Sequence, residues 1–291
     1  MEKGVATVAT VADGLPPSFR TGNCRPEGRI TPIFVLETTV RYMVSASVVV
    51  PARDEGARLE ATLDSLSAQR FDGDLDLEVI VVASGTETIA AAREHAVVDR
   101  VLCDESGSRS DEFGDGPEKT ALGPARARNR GAKQASGDVL CFTDADTVVP
   151  PTWVRDHCRH YRNATVVGVG GPLEPLEPGL RHRVCFRLLS DWWYRLSWPL
   201  GFVQQPGPNC SVRRTAFERV GGFDESLPFL EDTDLSLRLR REGEGIYDRE
   251  CAVRTSVRRQ EREGYGRLFL TYARGYLAYL LPGRSPPATY F

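Results

Sequence analysis

The chain has 291 residues, of which 41% are hydrophobic and 26% charged, a composition suited to a globular fold with a sizeable core. No stretch approaches the roughly 18 consecutive apolar residues of a membrane span, and Met1–Thr10 lacks a basic start followed by an apolar run, so a cytoplasmic protein is expected. The net charge of −3 hides an asymmetry. Residues 43–150 carry 11 basic and 20 acidic side chains, and residues 151–291 carry 21 basic and 16 acidic, which leaves the second half suited to phosphate or an anionic membrane.

Residues 1–42 are rich in Thr, Val, Pro and Gly without a sustained period, and read as a disordered tail or an over-extended start ahead of a fold opening at Met43. Ser47–Val50 is an apolar run ended by Pro51 and predicts a buried strand. Leu59, Leu63 and Leu66 recur at helical spacing and predict a helix over 55–69. Leu77–Ala83 predicts a second strand, 89–96 a helix, and Arg100–Cys103 a third strand. Ser106–Gly123 is polar and reads as a mobile loop; a helix over 125–135 and a fourth strand over 139–143 follow.

Further on, Val166–Gly170 predicts a strand, 181–198 an aromatic helix, Pro206–Ser211 a turn-rich loop, 230–241 a helix capped by Gly243, and 264–281 a last aromatic helix. None of the seven cysteines forms a C-x-x-C pair and their number is odd, so buried free thiols are expected rather than zinc or disulfides. Strands alternating with helices predict a doubly wound α/β fold, whose ligands bind beyond the carboxyl ends of the strands. That rule directs attention to Arg53-Asp54-Glu55, Ser84-Gly85-Thr86 and Asp144-Ala145-Asp146.

Two carboxylates spaced by one residue share a face if the backbone stays extended, so Asp144 and Asp146 could both reach one cation. Oxygen ligation suits Mg2+ or Mn2+, which would neutralise a diphosphate. A strand-end turn rich in Asp is the competing account. Glu231-Asp232 opens a helix, where acidic residues meet the helix dipole; the alternative is a general base toward a hydroxyl.

Read in order, the segments SVVVPARDEGARLEATLDSL, ARNRGAKQASGDVLCFTDADTVVPPTW and GPNCSVRRTAFERVGGFDESLPFLEDTDLSLRLRREG resemble the family-2-like GT-A glycosyltransferases over 45–262. The resemblance implies a GT-A fold: a Rossmann-like, mostly parallel sheet flanked by helices, with an acceptor-side α+β half. It divides the chain into the extension 1–42, a nucleotide-sugar-binding half 43–150, an acceptor-binding half 151–262 and a C-terminal segment 263–291. Pro51, Ala52, Arg53, Glu55 and Ser84 would line the nucleoside pocket, with Arg128 near the nucleotide. Asp144 would touch ribose or metal, Asp146 would hold the metal, and Asp232 would deprotonate the acceptor. Asn209, Glu231, Arg258 and Arg259 would stand on the acceptor or diphosphate side. A single carboxylate base implies inversion, and a nucleotide-diphosphate sugar is the implied donor.

There are departures from the family pattern. Val82-Ala83-Ser84-Gly85-Thr86 lacks the family's Asp after the second strand, so Ser84 covers only part of that contact. Arg258-Arg259-Gln260-Glu261-Arg262 replaces a Q-x-x-R-W feature, which argues for single-sugar transfer rather than processive synthesis. Alternatives are a non-catalytic nucleotide-sugar-binding module and a sugar nucleotidyltransferase, the latter disfavoured because Pro51–Glu55 lacks a Gly-rich loop; no G-x-G-x-x-G marks a dehydrogenase. No nucleic-acid partner is expected. The aromatics of 264–281, interrupted by Arg267 and Arg274, suit peripheral docking on the inner face of a membrane and a sugar or polyprenyl-linked acceptor; packing on the catalytic domain or a partner subunit is the competing account.

Overall fold

The structure, a computed structural model, describes residues 45–71, 75–103, 123–188, 195, 197, 201–227 and 229–280. The expectations for 1–42, for most of 106–123 and for the end of the aromatic helix predicted over 181–198 fall outside these residues. The opening block alternates as β1 (Ala46–Arg53), α1 (Gly56–Ser67), β2 (Leu77–Ser84), α2 (Thr86–Glu94), β3 (Arg100–Cys103), α3 (Pro124–Gln134) and β4 (Val139–Phe142). After it come β5 (Thr147–Val148), α4 (Trp153–Cys158), β6 (Val166–Gly170), β7 (Leu173–Pro175), α5 (Leu180–Phe186), β8 (Cys210–Arg213) and α6 (Arg214–Arg219). The last elements are α7 (Glu231–Leu239), β9 (Glu244–Tyr247), β10 (Val253–Thr255), α8 (Arg258–Glu263) and α9 (Tyr265–Leu280).

A seven-stranded sheet has the order β3-β2-β1-β4-β8-β6-β9, in which only β8 runs against its neighbours; β5-β10-β7 forms a second, small sheet. This is the mostly parallel α/β architecture that the alternation of elements predicts. The sheet runs unbroken from the first half of the chain into the second through the β4–β8 pair. β1 reads as a continuous apolar run because both of its faces are covered: Val48 and Val50 face one core with Leu59, Leu63 and Trp153, while Val49 faces the other with Phe142, Phe217 and Leu235.

Three local expectations are corrected. Pro51 does not end the first strand, because β4 pairs with β1 only as far as Val49 and then turns away, so the missing N–H falls where no second ladder needs it. Gly243 is not a left-handed helix cap; it lets β9 approach β6, since a Cβ there would stand 2.4 Å from the Thr165 carbonyl oxygen. The turn-rich segment 206–211 already contains the start of β8. The six described cysteines are free, four of them buried.

The block Asn129-Arg-Gly131 seats α3 on the sheet. A Cβ at Gly131 would lie 2.3 Å from Val49 Cγ1 and 3.2 Å from Val82 Cγ2. Gly131→Ala should therefore cost about 1–3 kcal/mol through overpacking, read as a lowered urea midpoint at unchanged slope.

Candidate active site

Polar side chains gather at the carboxyl ends of the central strands. Arg53 and Ser84 pair in register as the last residues of β1 and β2. Asp54 then turns at φ +52 and donates its N–H to the Ser84 carbonyl at 3.2 Å. Gly85, at φ +91, is required twice over: its backbone is left-handed, and a Cβ would stand 2.4 Å from Asp54 Oδ1. The Glu55 N–H donates to Thr88 Oγ1 at 2.9 Å, which ties the two loops together. Pro51 is half-buried, Ala52 buried, and Arg53 exposed.

At the centre is Arg128, on α3 and only 3% exposed. Its Nη2 donates to Asp144 Oδ1 at 2.7 Å and its Nη1 to Glu231 Oε1 at 2.8 Å, while its guanidinium lies 5.6 Å from the Phe223 ring centroid. Burial alone would lower its pKa, but Asp144 and Glu231 reverse that and hold it above its ordinary value. One buried cation thus joins the end of β4 to the start of α7. Gly207 makes room for it, since a Cβ there would meet Arg128 Nη2 at 2.8 Å.

Asp144 and Asp146 do not sit on an extended strand. Backbone direction changes at Asp144, whose carbonyl accepts the Thr147 N–H at 3.2 Å, and the two side chains take different partners. Asp146 Oδ2 lies 3.9 Å from Arg258 Nη2, and Arg258 also binds Glu55. Burial first, then Asp144 and Glu55, push the Asp146 carboxyl up to about 6 against the pull of Arg258. Among the described residues no group of three or more His, Cys, Asp or Glu side chains is placed to hold a metal ion.

Asp232 lies in the first turn of α7, after Leu230 at φ +66. A left-handed non-glycine costs of order 1–2 kcal/mol and persists only where its surroundings enforce it. Here the Gly207 N–H donates to Asp232 Oδ2 at 3.2 Å and the Thr233 N–H to Oδ1 at 2.7 Å. Burial, then Glu231, push this carboxyl up to about 6, against Gly207, Arg128 and Thr233. A carboxylate with a pKa near 6 is suited to accept a proton near neutral pH.

Two of the predicted residues stand apart from this constellation. Asn209 is fully buried: its Oδ1 accepts from Trp153 Nε1 at 2.8 Å and lies 3.1 Å from His157 Nε2, and its Nδ2 donates to the carbonyls of Pro172 and Cys251. Its amide is fully engaged, which makes it a tie beneath the site rather than an acceptor or diphosphate contact. His157 beside it is pushed down to about 4 by burial and is neutral. Arg259 pairs with Glu263 on its own helix at 3.4 Å. Conversely, the N–H of Gly207 is a site group that the sequence did not single out; its only signal is the Pro206-Gly-Pro208 turn.

Comparison with known proteins names the class this fold and site define. Residues 47–220 match glycosyl transferase family 2, and the chain belongs to that family. It is 24% identical to probable glycosyltransferase YdaM of Bacillus subtilis, over 69% of this chain and 47% of that protein. It is 26% identical to glucosyl-dolichyl phosphate glucuronosyltransferase of Haloferax volcanii, over 62% of this chain and 56% of that protein. The chain therefore spans about half the length of these relatives. The mannosyltransferase PcManGT of Pyrobaculum calidifontis, solved with GDP-Man and Mn2+, shares the fold with a TM-score of 0.59 and 20% identity, over 85% of this chain and 67% of that one. The GT-A assignment from the sequence blocks holds.

Removing the central cation exposes what it organises. Arg128→Met should cost about 3 kcal/mol, the lower end for breaking a buried pair because Asp144 keeps some solvent contact. Urea denaturation reads the loss.

Proposed function

We propose that the chain transfers a single sugar from a nucleotide-diphosphate sugar to an acceptor hydroxyl or a lipid-linked phosphate or glycan, with inversion. The observation that carries this is the Asp144–Arg128–Glu231 bridge. It holds the acidic end of β4 and the Asp232 carboxylate within the span of one guanidinium and its neighbours.

In this reading Pro51, Ala52, Arg53, Glu55 and Ser84 border the nucleoside, and Arg258 stands beside Glu55 and Asp146 to meet diphosphate. Asp144 and Asp146 would hold Mg2+ or Mn2+, with the donor diphosphate and water completing the shell; when bound, such an ion supplies positive charge against the leaving diphosphate. Asp232 takes the proton of the acceptor hydroxyl as its oxygen attacks the anomeric carbon. The bond to the diphosphate breaks with its electron pair on the nucleoside diphosphate, and the configuration inverts. The PcManGT complex, with its nucleotide sugar and Mn2+, supports the choice of donor and ion.

Asp232→Asn keeps shape and removes proton acceptance, so turnover should fall about 10²–10⁴-fold with donor affinity kept. Asp146→Ala should abolish Mn2+-dependent donor binding in calorimetry. Wild-type turnover should drop as pH falls through about 6, because protonation removes the base. Asp232→Asn within a few-fold of wild type would overturn the base assignment.

A cytoplasmic enzyme docked peripherally on a membrane fits the surface. No helix among the described residues is long and apolar enough to cross one. Leu180, Val184 and Leu188, four residues apart, are 80%, 46% and 55% exposed, and Phe269, Leu270 and Leu277 of α9 are 45%, 61% and 59% exposed. His182 Nδ1 and the Tyr265 hydroxyl, 2.8 Å apart, join the two helices, and Arg181, Arg183, Arg267 and Arg274 flank the apolar groups. Apolar side chains among arginines suit an anionic lipid surface, and the Haloferax relative is named for a lipid-linked glycan. The protein should co-sediment with anionic liposomes at low salt and less at high salt; supernatant at both would refute docking.

A further inference from the structure

The inner face of α9 grips both flanks of the turn that carries Asp232. On the upstream side, Phe229 is 1% exposed and sits against Gly275, where a Cβ would fall 2.0 Å from the Phe229 ring; Tyr272 meets the same ring edge-on at 6.4 Å. Only glycine allows that approach. Downstream, the Tyr276 hydroxyl lies 2.8 Å from Thr233 Oγ1 and donates to Gln204 Oε1 at 3.3 Å, while Gln204 Nε2 donates to Thr233 Oγ1 at 2.6 Å. The Tyr279 hydroxyl donates to Asp234 Oδ1 at 2.7 Å. Thr233 in turn holds Asp232 Oδ1 through its N–H at 2.7 Å, which leaves its hydroxyl proton to meet the Tyr276 oxygen.

We propose that α9 is a positioning element for Asp232, acting through the hydroxyl relay Tyr276–Thr233 and the seat of Gly275 on Phe229. Two bonds therefore separate a surface helix from the carboxylate. The left-handed Leu230 lies between the two grips, so a shift of α9 alters the turn on both sides of it. The relay also accounts for tyrosines at 276 and 279, which are half-buried and whose hydroxyls end on α7. Anything that occupies the outer face of α9 then acts on the geometry of the base. This rests on Asp232 being the base, but the contact itself is independent of that role.

Tyr276→Phe tests it, because the ring packing stays and only the hydroxyl is lost. Amide exchange at Thr233 and Gly207 should quicken while Val49 and Val81 in the sheet stay protected, and kcat should fall about tenfold with the donor KM within twofold. Thr233→Val should give a similar loss, and the double variant no more than either alone, since both break one relay. Unchanged exchange at Thr233 and Gly207, or additive losses, would overturn the proposal. Quickened exchange together with an active Asp232→Asn enzyme would confirm the positioning contact and overturn the base assignment instead.

Discussion

A guanidinium buried to 3% exposure is costly unless its charge is met. Arg128 is met by two carboxylates from distant parts of the chain, Asp144 at the end of β4 and Glu231 at the start of α7. Each carboxylate bonds one end of the same guanidinium, so the end of β4 and the start of α7 are held in one arrangement. The accommodation reaches further: Gly207 gives up its side chain to admit the guanidinium, and the same residue's N–H is then free to hold Asp232. Phe223 closes the other side with an aromatic face.

Around that cation the site is a place of accumulated local cost. Both non-glycine residues with positive φ among the described residues, Asp54 and Leu230, directly precede its acidic residues Glu55 and Glu231. Asp146 and Asp232 both have carboxyls held up near 6 by burial and by neighbouring acids. Cores on the two sheet faces, with Val48 to Val50, Leu59, Leu63, Phe142 and Leu235 essentially fully buried, are what enforce these geometries. Precision at the strand ends is thus inherited from packing several residues beneath them. The tie at Asn209 shows the same logic with polar groups: Trp153, His157, Pro172 and Cys251 converge on one amide, and the loop carrying Gly207 ends on that anchor.

The C-terminal helix links surface to site. Its outer residues are apolar and basic, and its inner tyrosines end on the helix that starts with Glu231-Asp232. The two accounts of this segment, docking outward or packing on the catalytic domain, are not exclusive, because an amphipathic helix has a face for each.

Much of the fold was legible in the residues. β2, β3 and β6 announce themselves as apolar runs, α1 by its leucine spacing, and the sites at Arg53–Glu55, Ser84–Thr86 and Asp144–Asp146 follow from the rule that ligands lie beyond strand ends. The short strands β5, β7, β9 and β10 were not legible: two to four residues, several of them polar or glycine, carry no period of their own and exist only because a partner is already in place. Nor could sequence tell an Asn that faces a cleft from one that faces inward. Asn209 lies in a block that marks the site, yet its amide points to buried carbonyls. Spacing likewise suggested that Asp144 and Asp146 share a strand face, whereas a turn sends them to different arginines. Local pattern determined which segments form elements and which residues reach the strand ends, because burial and periodicity are properties of neighbours along the chain. Partners of Arg128, Asp146, Asp232 and Tyr276 were decided only by tertiary structure, because each lies on an element whose position depends on the whole sheet.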